Sequence, residues 1–434
     1  MSTVPAVGSP GVVSPTIEVT PERPLFDEPV DIRLFDVPPA ASVTLRVRTR
    51  LPDGVYASNV VYQADDRGVV DLATAVPADD TADRPAPMAP FWAMTAVDRR
   101  SAVPRTTLVR TVETELTVEL DGEPVTERTI DRQLTGATVR REFLDGDLVG
   151  EIWLPDEVGT HPGVVLLGGS EGGYPPRIPA GVLAARGYAV LAPAYFGQEG
   201  LPPTLERIDL SYFDRAIDRF RSHPNVRPEP IGVVGFSRGA ELGLELAARD
   251  PTITTAIAYA PSHVRFHGVP DGFRAPEPAW VENGRPRPSV PLSVSLRFPI
   301  RLFGSLLRRS PFPLAPLYRR AIEDASTATI EAARIDVDSI DGPVLLVSGG
   351  DDRLWPADEF ARELTEGRDH IEHRRFPGAG HAIGVPYRPL GGSTVGPSLI
   401  PGVPIALGGQ PETNAIASES AWHATLDTLV DGLR

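Results

Sequence analysis

One serine of the sequence stands in a pattern typical of a catalytic nucleophile. Ser237 is the centre of Gly235-Phe236-Ser237-Arg238-Gly239, which follows an apolar run at residues 231–234 and precedes a predicted helix at 240–249. Serine attacks a carbonyl carbon only when the fold exposes its hydroxyl beside a base, and flanking glycines allow the tight turn that does so. We predict that Ser237 is a nucleophile on a strand-to-helix turn. The alternative is an ordinary β-to-α turn that uses glycine for its geometry.

A carboxylate that could orient a base follows the apolar run at 342–348, which predicts a parallel strand. Side chains at the carboxyl end of such a strand face the active-site edge of the sheet. Asp352 is the predicted acid, because a turn that begins at Gly349 carries its side chain back toward that edge, and Asp351 is the alternative. Asp352 could also serve as the cap of a helix beginning near Pro356.

A histidine follows in the order that this chemistry requires. His381 lies on a glycine-rich loop after a strand predicted at 370–376, and the order serine, acid, histidine is that of hydrolases with a nucleophile elbow. We predict that His381 is the general base. The other histidines fit less well, because they lie in predicted turns, in a strand, after a different strand or in the terminal helix: His161, His223, His263, His267, His370, His373 and His423.

Two of these histidines could suggest a metal pair, but the spacing argues against it. His370 and His373 are three residues apart on a predicted strand and therefore point to opposite faces. We predict neither a metal site nor a cofactor.

Backbone N–H groups near the nucleophile could stabilise the oxyanion of acyl transfer. The apolar run at 163–167 opens into a glycine-rich loop at 168–174, and we predict one donor at Gly169 or Ser170 and a second at the N–H of Arg238. Two carboxylates in these segments, Glu171 and Glu241, are predicted to be solvated or structural.

The same loop has the glycine spacing of a phosphate loop, at Gly168 and Gly173. Tyr174 and Pro175 stand where a phosphate loop needs lysine and serine or threonine, so this interpretation is poor.

The pattern of elements predicts two domains. Helices and strands alternate from residue 136 as in an α/β-hydrolase. Residues 17–135 show strands with period-two alternation, frequent turns and no convincing helix, which predicts an all-β, immunoglobulin-like sandwich. Residues 1–16 are predicted to be a flexible tail. The predicted elements of the second domain, beyond those above, are helices at 179–186, 209–221 and 415–433 and strands at 188–193 and 253–260, with 225–230 as a link.

From residue 17 onward the chain resembles the type I acyl-CoA thioesterase family, which also includes bile acid-CoA:amino acid N-acyltransferases. The resemblance rests on residues 26–30, 194–196, 201–206, 212–213, 222–224, 235–242, 380–383, 386–387 and 408–411. It implies a β-sandwich before an α/β-hydrolase domain, with Ser237, Asp352 and His381 as the catalytic triad and residues 168–173 as the oxyanion loop.

The resemblance also implies a reaction. Ser237 would attack the thioester of an acyl-CoA, CoA would leave, and water would release the free acid. Related N-acyltransferases carry cysteine at the nucleophile position and pass the acyl group to an amino acid, whereas this chain has serine there and no cysteine. We therefore expect a thioesterase. The alternatives are an acyl-CoA:amino acid N-acyltransferase and a carboxylesterase or dienelactone-type hydrolase.

The sequence departs from the family in two places. Arg238 stands where relatives commonly have lysine, and residues 264–326 match poorly although they are rich in apolar residues and arginine. This segment could be a lid that contacts CoA and the acyl chain, a membrane-surface element, or a cap helix packed on the core. The long glycine- and proline-rich stretch at 384–411 is predicted to be a loop that walls the acyl pocket.

Composition bears on the protein's surroundings. The net charge is −16, and all 42 basic residues are arginine. An acidic surface without lysine suits concentrated salt, which shortens the range of charge repulsion. We therefore expect a halophilic source, and a genome rich in G and C is the alternative explanation of the arginine bias.

The acidic charge argues against nucleic-acid binding. No apolar run approaches membrane-spanning length, and neither a signal peptide at the start nor a peroxisomal Ser-Lys-Leu at the end is present. The absence of cysteine fits a fold without disulfides. These features together favour a cytoplasmic enzyme with no membrane segment.

Overall fold

A computed structural model describes residues 14–100, 104–136, 138–171, 176–270, 274–292 and 298–433. The chain forms two compact units. The first comprises the chain up to Pro24, Glu28–Pro104 and Val112–Arg132, and the second comprises Leu25–Asp27, Arg105–Thr111 and the chain from Gln133 onward. The predicted tail lies largely outside the described residues, although its last residue already begins a strand.

The first unit is built from antiparallel strands in two sheets. Buried and exposed side chains alternate along them, as in the strand at Ser42–Leu51, because successive side chains of a strand point to opposite faces. The strands are β1 (Thr16–Thr20), β2 (Asp31–Phe35), β3 (Ser42–Leu51), β4 (Gly54–Gln63), β5 (Val70–Asp71), β6 (Thr95–Asp98), β7 (Thr111–Leu120) and β8 (Glu123–Gln133). The sheet orders are β1-β2-β5 and β6-β4-β3-β7-β8. The predicted all-β fold of this region is confirmed.

One short helix lies in this unit, where the sequence shows no convincing helix. Helix α1 spans Ala89–Trp92, with a proline in its first turn and all four residues buried. Proline is tolerated in a first helical turn because its missing N–H has no partner there in any case. A single turn is too short to produce a helical period in the sequence.

The second unit is an α/β-hydrolase domain. Its main sheet has the order β19-β18-β15-β14-β11-β12-β10-β9, in which β19 to β12 are parallel and β10 and β9 are antiparallel. The strands are β9 (Val139–Phe143), β10 (Gly150–Pro155), β11 (His161–Leu167), β12 (Ala189–Pro193), β13 (Ile208–Asp209), β14 (Val226–Phe236), β15 (Ile253–Tyr259), β16 (Trp280–Glu282), β17 (Arg285–Pro286), β18 (Val344–Gly349), β19 (Ile371–Phe376), β20 (Val395–Ile400) and β21 (Val403–Ala406). The predicted fold class is confirmed.

Helices follow the strands in the order that this fold requires. They are α2 (Arg177–Ala185), α3 (Leu210–Arg221), α4 (Arg238–Arg249), α5 (Phe298–Arg308), α6 (Ala315–Asp324), α7 (Thr327–Ala333), a 3₁₀ turn at Val337–Ser339, α8 (Ala357–Thr365) and α9 (Pro411–Leu433). None of the helices in the described part of the chain has the length and apolar character needed to cross a membrane.

Two segments differ from their predictions. Strand β14 begins at Val226, whereas residues 225–230 are predicted to be a link. The sequence does not indicate this part of the strand, because Arg227 to Pro230 are partly or fully exposed and carry no apolar signal. The stretch at 384–411 is not wholly loop, since it contains the hairpin of β20 and β21, whose pairing has two register irregularities. The sequence pattern does not predict this hairpin, because its strands contain glycine and proline, which are uncommon in strands.

A buried carboxylate on α4 holds the chain that follows β15. Glu245 is 2% exposed, and its two oxygens accept bonds from Arg265 (Nη1 to Oε2, 2.6 Å) and Arg287 (Nη2 to Oε1, 2.8 Å). The attraction between these charges offsets the free energy of removing them from water only while all of them are paired.

We expect Glu245→Ala to lower the free energy of unfolding by about 3–5 kcal/mol, because it leaves the buried Arg265 without its partner. Urea unfolding followed by circular dichroism measures this. The matched control is Glu363→Ala at an exposed position of α8, which should change the value by less than about 0.5 kcal/mol. Equal effects of the two substitutions would contradict a stabilising role of the buried Glu245 with its two arginines.

Candidate active site

Ser237 occupies the turn between β14 and α4. Its backbone has φ 55° and ψ −119°, a region that costs a residue with a side chain on the order of 1–3 kcal/mol. Its N–H donates to the carbonyl oxygen of Tyr259 (2.8 Å), which ties the turn to β15. A Cβ atom on Gly235 would collide with the carbonyl of Gly239, so this approach of strand and helix requires glycine. The turn therefore presents a serine in the geometry of a nucleophile elbow.

Asp352 and His381 form a hydrogen-bonded pair. Nδ1 of His381 lies 2.7 Å from Oδ2 of Asp352, and both side chains are largely buried. The other carboxylate oxygen of Asp352 accepts bonds from the N–H groups of Leu354 (2.9 Å) and Trp355 (3.2 Å). A carboxylate held in this way can orient the imidazole and stabilise it when it is protonated.

The two alternatives for this region have different places in the structure. Asp351 accepts bonds from Nε of Arg353 (3.0 Å) and from the N–H of Gly409 (2.9 Å), and its side chain is 40% exposed. The N-cap residue of α8 is Pro356 rather than Asp352. Geometry thus favours Asp352 as the partner of the histidine and gives Asp351 a role in anchoring the loop at Gly409.

The loop after β11 is described as far as Glu171. The N–H of Gly169 donates to Oε1 of Glu171 (3.0 Å), so this donor is already engaged and Glu171 has a structural role. Ser170 lines the cavity together with Ser237, which favours Ser170 over Gly169 as the loop donor. Gly172 and Gly173, which belong to the predicted oxyanion loop, lie outside the described residues.

A buried ion pair beside Ser237 was not predicted from the sequence. Nη1 of Arg238 lies 2.7 Å from Oε2 of Glu241, and its Nη2 donates to the carbonyl oxygen of Phe266 (3.1 Å). The other oxygen of Glu241 accepts a bond from Nε1 of Trp280 (2.8 Å). Burial raises the pKa of Glu241, while the charge of Arg238 opposes this rise. Glu241 is therefore a structural carboxylate, and only its spacing of three residues from Arg238 on a helix could have indicated the pair.

An apolar cavity of about 760 Å³ opens at Ser237. Its wall comes from residues distant in sequence, including Leu292, Leu302, Leu314, Leu317, Trp355 and Ile405. The poorly matching segment at 264–326 supplies most of this wall, and the stretch at 384–411 contributes Ser398 and Ile405. The indole of Trp355 packs edge-on against the imidazole of His381, with ring centroids 6.3 Å apart. The acid–base pair thus lies beside the cavity that holds the serine.

Five of the remaining histidines contact groups other than Ser237 and Asp352. His161 lies in β11 rather than in the predicted turn. His373 lies in β19 as predicted and its Nε2 is 2.7 Å from Oγ of Ser348. His223 and His267 contact Glu142 (3.3 Å) and the carbonyl of Pro276 (2.9 Å) respectively, and His263 is buried against Phe360.

An eight-stranded sheet, a strained serine turn and an acid–histidine pair place the chain among the α/β-hydrolase enzymes. Comparison with known proteins refines this class. The family model for the acyl-CoA thioester hydrolase/BAAT N-terminal region matches residues 27–145, and the model for the BAAT/acyl-CoA thioester hydrolase C terminal matches residues 208–271 and 314–433. The chain belongs to this acyl-CoA thioester hydrolase/BAAT family.

Individual relatives agree over nearly the full length. Acyl-coenzyme A thioesterase 2, mitochondrial, of Mus musculus is 30% identical over 94% of this chain and 87% of that protein. Acyl-coenzyme A thioesterase 1 of Homo sapiens is 30% identical over 92% of each chain.

Solved structures are more distant. The acylaminoacyl peptidase of Pyrococcus horikoshii is 15% identical, with a TM-score of 0.42 over 94% of this chain and 60% of that chain. A dienelactone hydrolase-like promiscuous phosphotriesterase from metagenomic libraries is 17% identical, with a TM-score of 0.39 over 69% of this chain and 100% of that chain.

Substitution of the two neighbouring aspartates should separate their roles. Asp352→Asn should lower kcat on an activated aryl ester or thioester by roughly 10³- to 10⁴-fold, because an amide cannot hold the imidazole in the required tautomer. Asp351→Asn is the matched control and should retain most of the activity. Loss of activity in the Asp351 variant alone would transfer the role of the acid to that residue.

His263 should make the protein less stable in mild acid. Burial, with a smaller contribution from the charge of Arg334, lowers the pKa of His263 to about 4, against about 6.5 in an unfolded chain. The unfolded state therefore binds the proton more readily, and the stabilisation present above pH 6.5 is lost progressively down to pH 4. Between pH 8 and pH 5 this group alone should remove about 2 kcal/mol.

Urea unfolding at pH 8 and at pH 5 tests this effect. The loss on acidification should be smaller in His263→Phe than in the wild type, and unchanged in His423→Phe, which replaces an exposed histidine of α9. An identical loss in all three proteins would show that other groups cause the acid sensitivity.

Proposed function

We propose that the protein hydrolyses acyl-CoA thioesters to a free carboxylic acid and CoA, with Ser237, His381 and Asp352 as a catalytic triad. The observation that carries this proposal is the 2.7 Å contact of His381 with Asp352 beside the cavity that opens at Ser237. Membership of the family supports the substrate class, since its curated relatives are named acyl-coenzyme A thioesterases.

Acylation begins at the serine hydroxyl. His381 takes the proton of Ser237 as the oxygen attacks the thioester carbonyl, and Asp352 stabilises the imidazolium that forms. The negative charge develops on the carbonyl oxygen, which would accept hydrogen bonds from the N–H groups of Ser170 and Arg238. The carbon–sulfur bond then breaks, and the proton passes from His381 to the sulfur of CoA.

Deacylation repeats these steps with water. His381 removes a proton from a water molecule, the hydroxide attacks the ester carbonyl, and Ser237 leaves with the proton from His381 as the acid departs. The apolar wall of the cavity supports an acyl chain as the group held during both steps, because it buries hydrocarbon away from water.

Serine also favours water over an amino acid as the acceptor. A serine nucleophile forms an oxygen ester, and the chain has no cysteine that could form a thioester intermediate. The two alternative activities, N-acyltransferase and carboxylesterase, would give different products in the experiment below.

The test measures free thiol released from acyl-CoAs of graded chain length, in low-salt and high-salt buffer, with glycine or taurine added in parallel. Ser237→Ala should lower kcat by roughly 10⁴- to 10⁶-fold, because the remaining oxyanion donors and binding contacts act without a nucleophile. Free acid should be the product in every case. Higher activity in concentrated salt would support the halophilic expectation.

Three results would contradict the proposal. Full thiol release by purified Ser237→Ala would exclude the serine mechanism. Amide products with glycine or taurine would define a transferase, and turnover of aryl esters without turnover of any acyl-CoA would define an oxygen-ester hydrolase.

A further inference from the structure

Helix α5 carries apolar side chains on two opposite faces. Leu302 is 8% exposed and packs with Phe312 and Val403. Ile300, Phe303 and Leu307 are 72%, 58% and 69% exposed. Positions i, i+3 and i+7 of a helix lie on one side, so these three residues form a continuous apolar stripe that faces water. Such a stripe on a protein surface marks a site of interaction.

The charge around this stripe is opposite to that of the chain. Residues 283–322 contain eight arginines and no aspartate or glutamate, in a protein with a net charge of −16. Arg301, Arg308 and Arg309, on or directly after α5, are exposed. None of the three pairs with a carboxylate among the residues that the structure describes.

The neighbouring hairpin extends the surface without adding acidic charge. Residues 390–411, which include β20 and β21, contain no charged residue. Phe312, after α5, forms a β-bridge with Ile405 of β21. The stretch that contains α5 and the hairpin bridged to it therefore carry arginines and uncharged residues but no carboxylate.

We propose that the α5 surface, made of Ile300, Phe303 and Leu307 with Arg301, Arg308 and Arg309, docks on an anionic lipid bilayer. A short amphipathic helix with arginines beside its apolar face lies in the plane of such an interface, with the apolar side chains at the acyl boundary and the guanidinium groups at the phosphates. A second copy of the chain is a poorer occupant, because a two-fold contact would bring the arginines of both copies together.

Docking would place the acyl cavity at the bilayer. The inner face of α5 contributes Leu302 to the cavity wall, so the lipid-facing helix and the acyl-binding wall are the same element. The surface then gives the enzyme access to amphiphilic thioesters held in the membrane. This role in substrate capture rests on the proposed function, whereas the docking itself does not. The family model leaves residues 272–313 unmatched, and this stretch includes the whole of α5.

Co-sedimentation with lipid vesicles tests the proposal without substrate. The wild type should bind vesicles that contain phosphatidylglycerol and should not bind vesicles of phosphatidylcholine alone. Arg308→Gln with Arg309→Gln should lower the partition coefficient by about 30-fold, given the usual contribution of each arginine near an anionic surface. Ile300→Ser, Phe303→Ser and Leu307→Ser together should reduce binding to the background level, because they remove the inserted stripe.

Matched controls separate docking from folding and from catalysis. Arg99→Gln with Arg100→Gln removes another exposed arginine pair, and Val158→Ser with Ile416→Ser removes exposed apolar side chains elsewhere. Both controls should bind vesicles like the wild type. Every variant should keep the wild-type urea midpoint and its turnover of a short-chain, water-soluble thioester.

Two results would overturn the proposal. Equal binding to both kinds of vesicle, or to neither, would exclude an anionic lipid surface as the occupant. A wild-type dimer in sedimentation equilibrium that the triple serine variant converts to a monomer would assign the stripe to a second copy of the chain. Because binding is measured without substrate, either result can occur whether or not the protein proves to be a thioesterase.

Discussion

The backbone of Ser237 is held at a positive φ between β14 and α4, and the arrangement of the site depends on this turn. A residue with a side chain does not stay in this region unless its surroundings hold it there. Here the N–H of the serine is bonded to β15, and Gly235 and Gly239 allow strand, helix and the end of β11 to approach more closely than any Cβ atom would permit. The bond to β15 and these close approaches therefore hold the serine in its strained conformation.

Helix α4, which begins at this turn, is also the point from which the cavity is organised. Two of its buried carboxylates, about one turn apart, bind the chain that follows β15: Glu241 through Trp280, and Glu245 through Arg265 and Arg287. Buried charges tolerate little displacement, because an unpaired member is far more costly than the pair. The chain that leads to the cavity wall is thus held against the same helix that begins at the Ser237 turn.

The three residues proposed for catalysis and the apolar wall belong to different parts of the chain. Ser237, Asp352 and His381 lie on turns and loops at the ends of parallel strands, where this fold usually places its chemistry. Most of the wall comes from residues 264–326, a segment that the family model matches only at its two ends. The wall of the cavity therefore depends partly on a region that the family model does not match.

The sequence by itself determined the fold class, the order of the main elements and the three residues proposed for catalysis, because each depends on local signals. Apolar runs mark the buried strands, and the residues after them mark the edge where side chains converge. Tertiary structure decided what depends on distant partners: the pairing of His381 with Asp352 rather than Asp351, the engagement of Gly169 by Glu171, and the burial of Glu241 beside Arg238. It also decided the hairpin of β20 and β21 and the two apolar faces of α5. A side chain's burial and its hydrogen-bond partner are properties of the folded neighbourhood, and no periodicity in the chain encodes them.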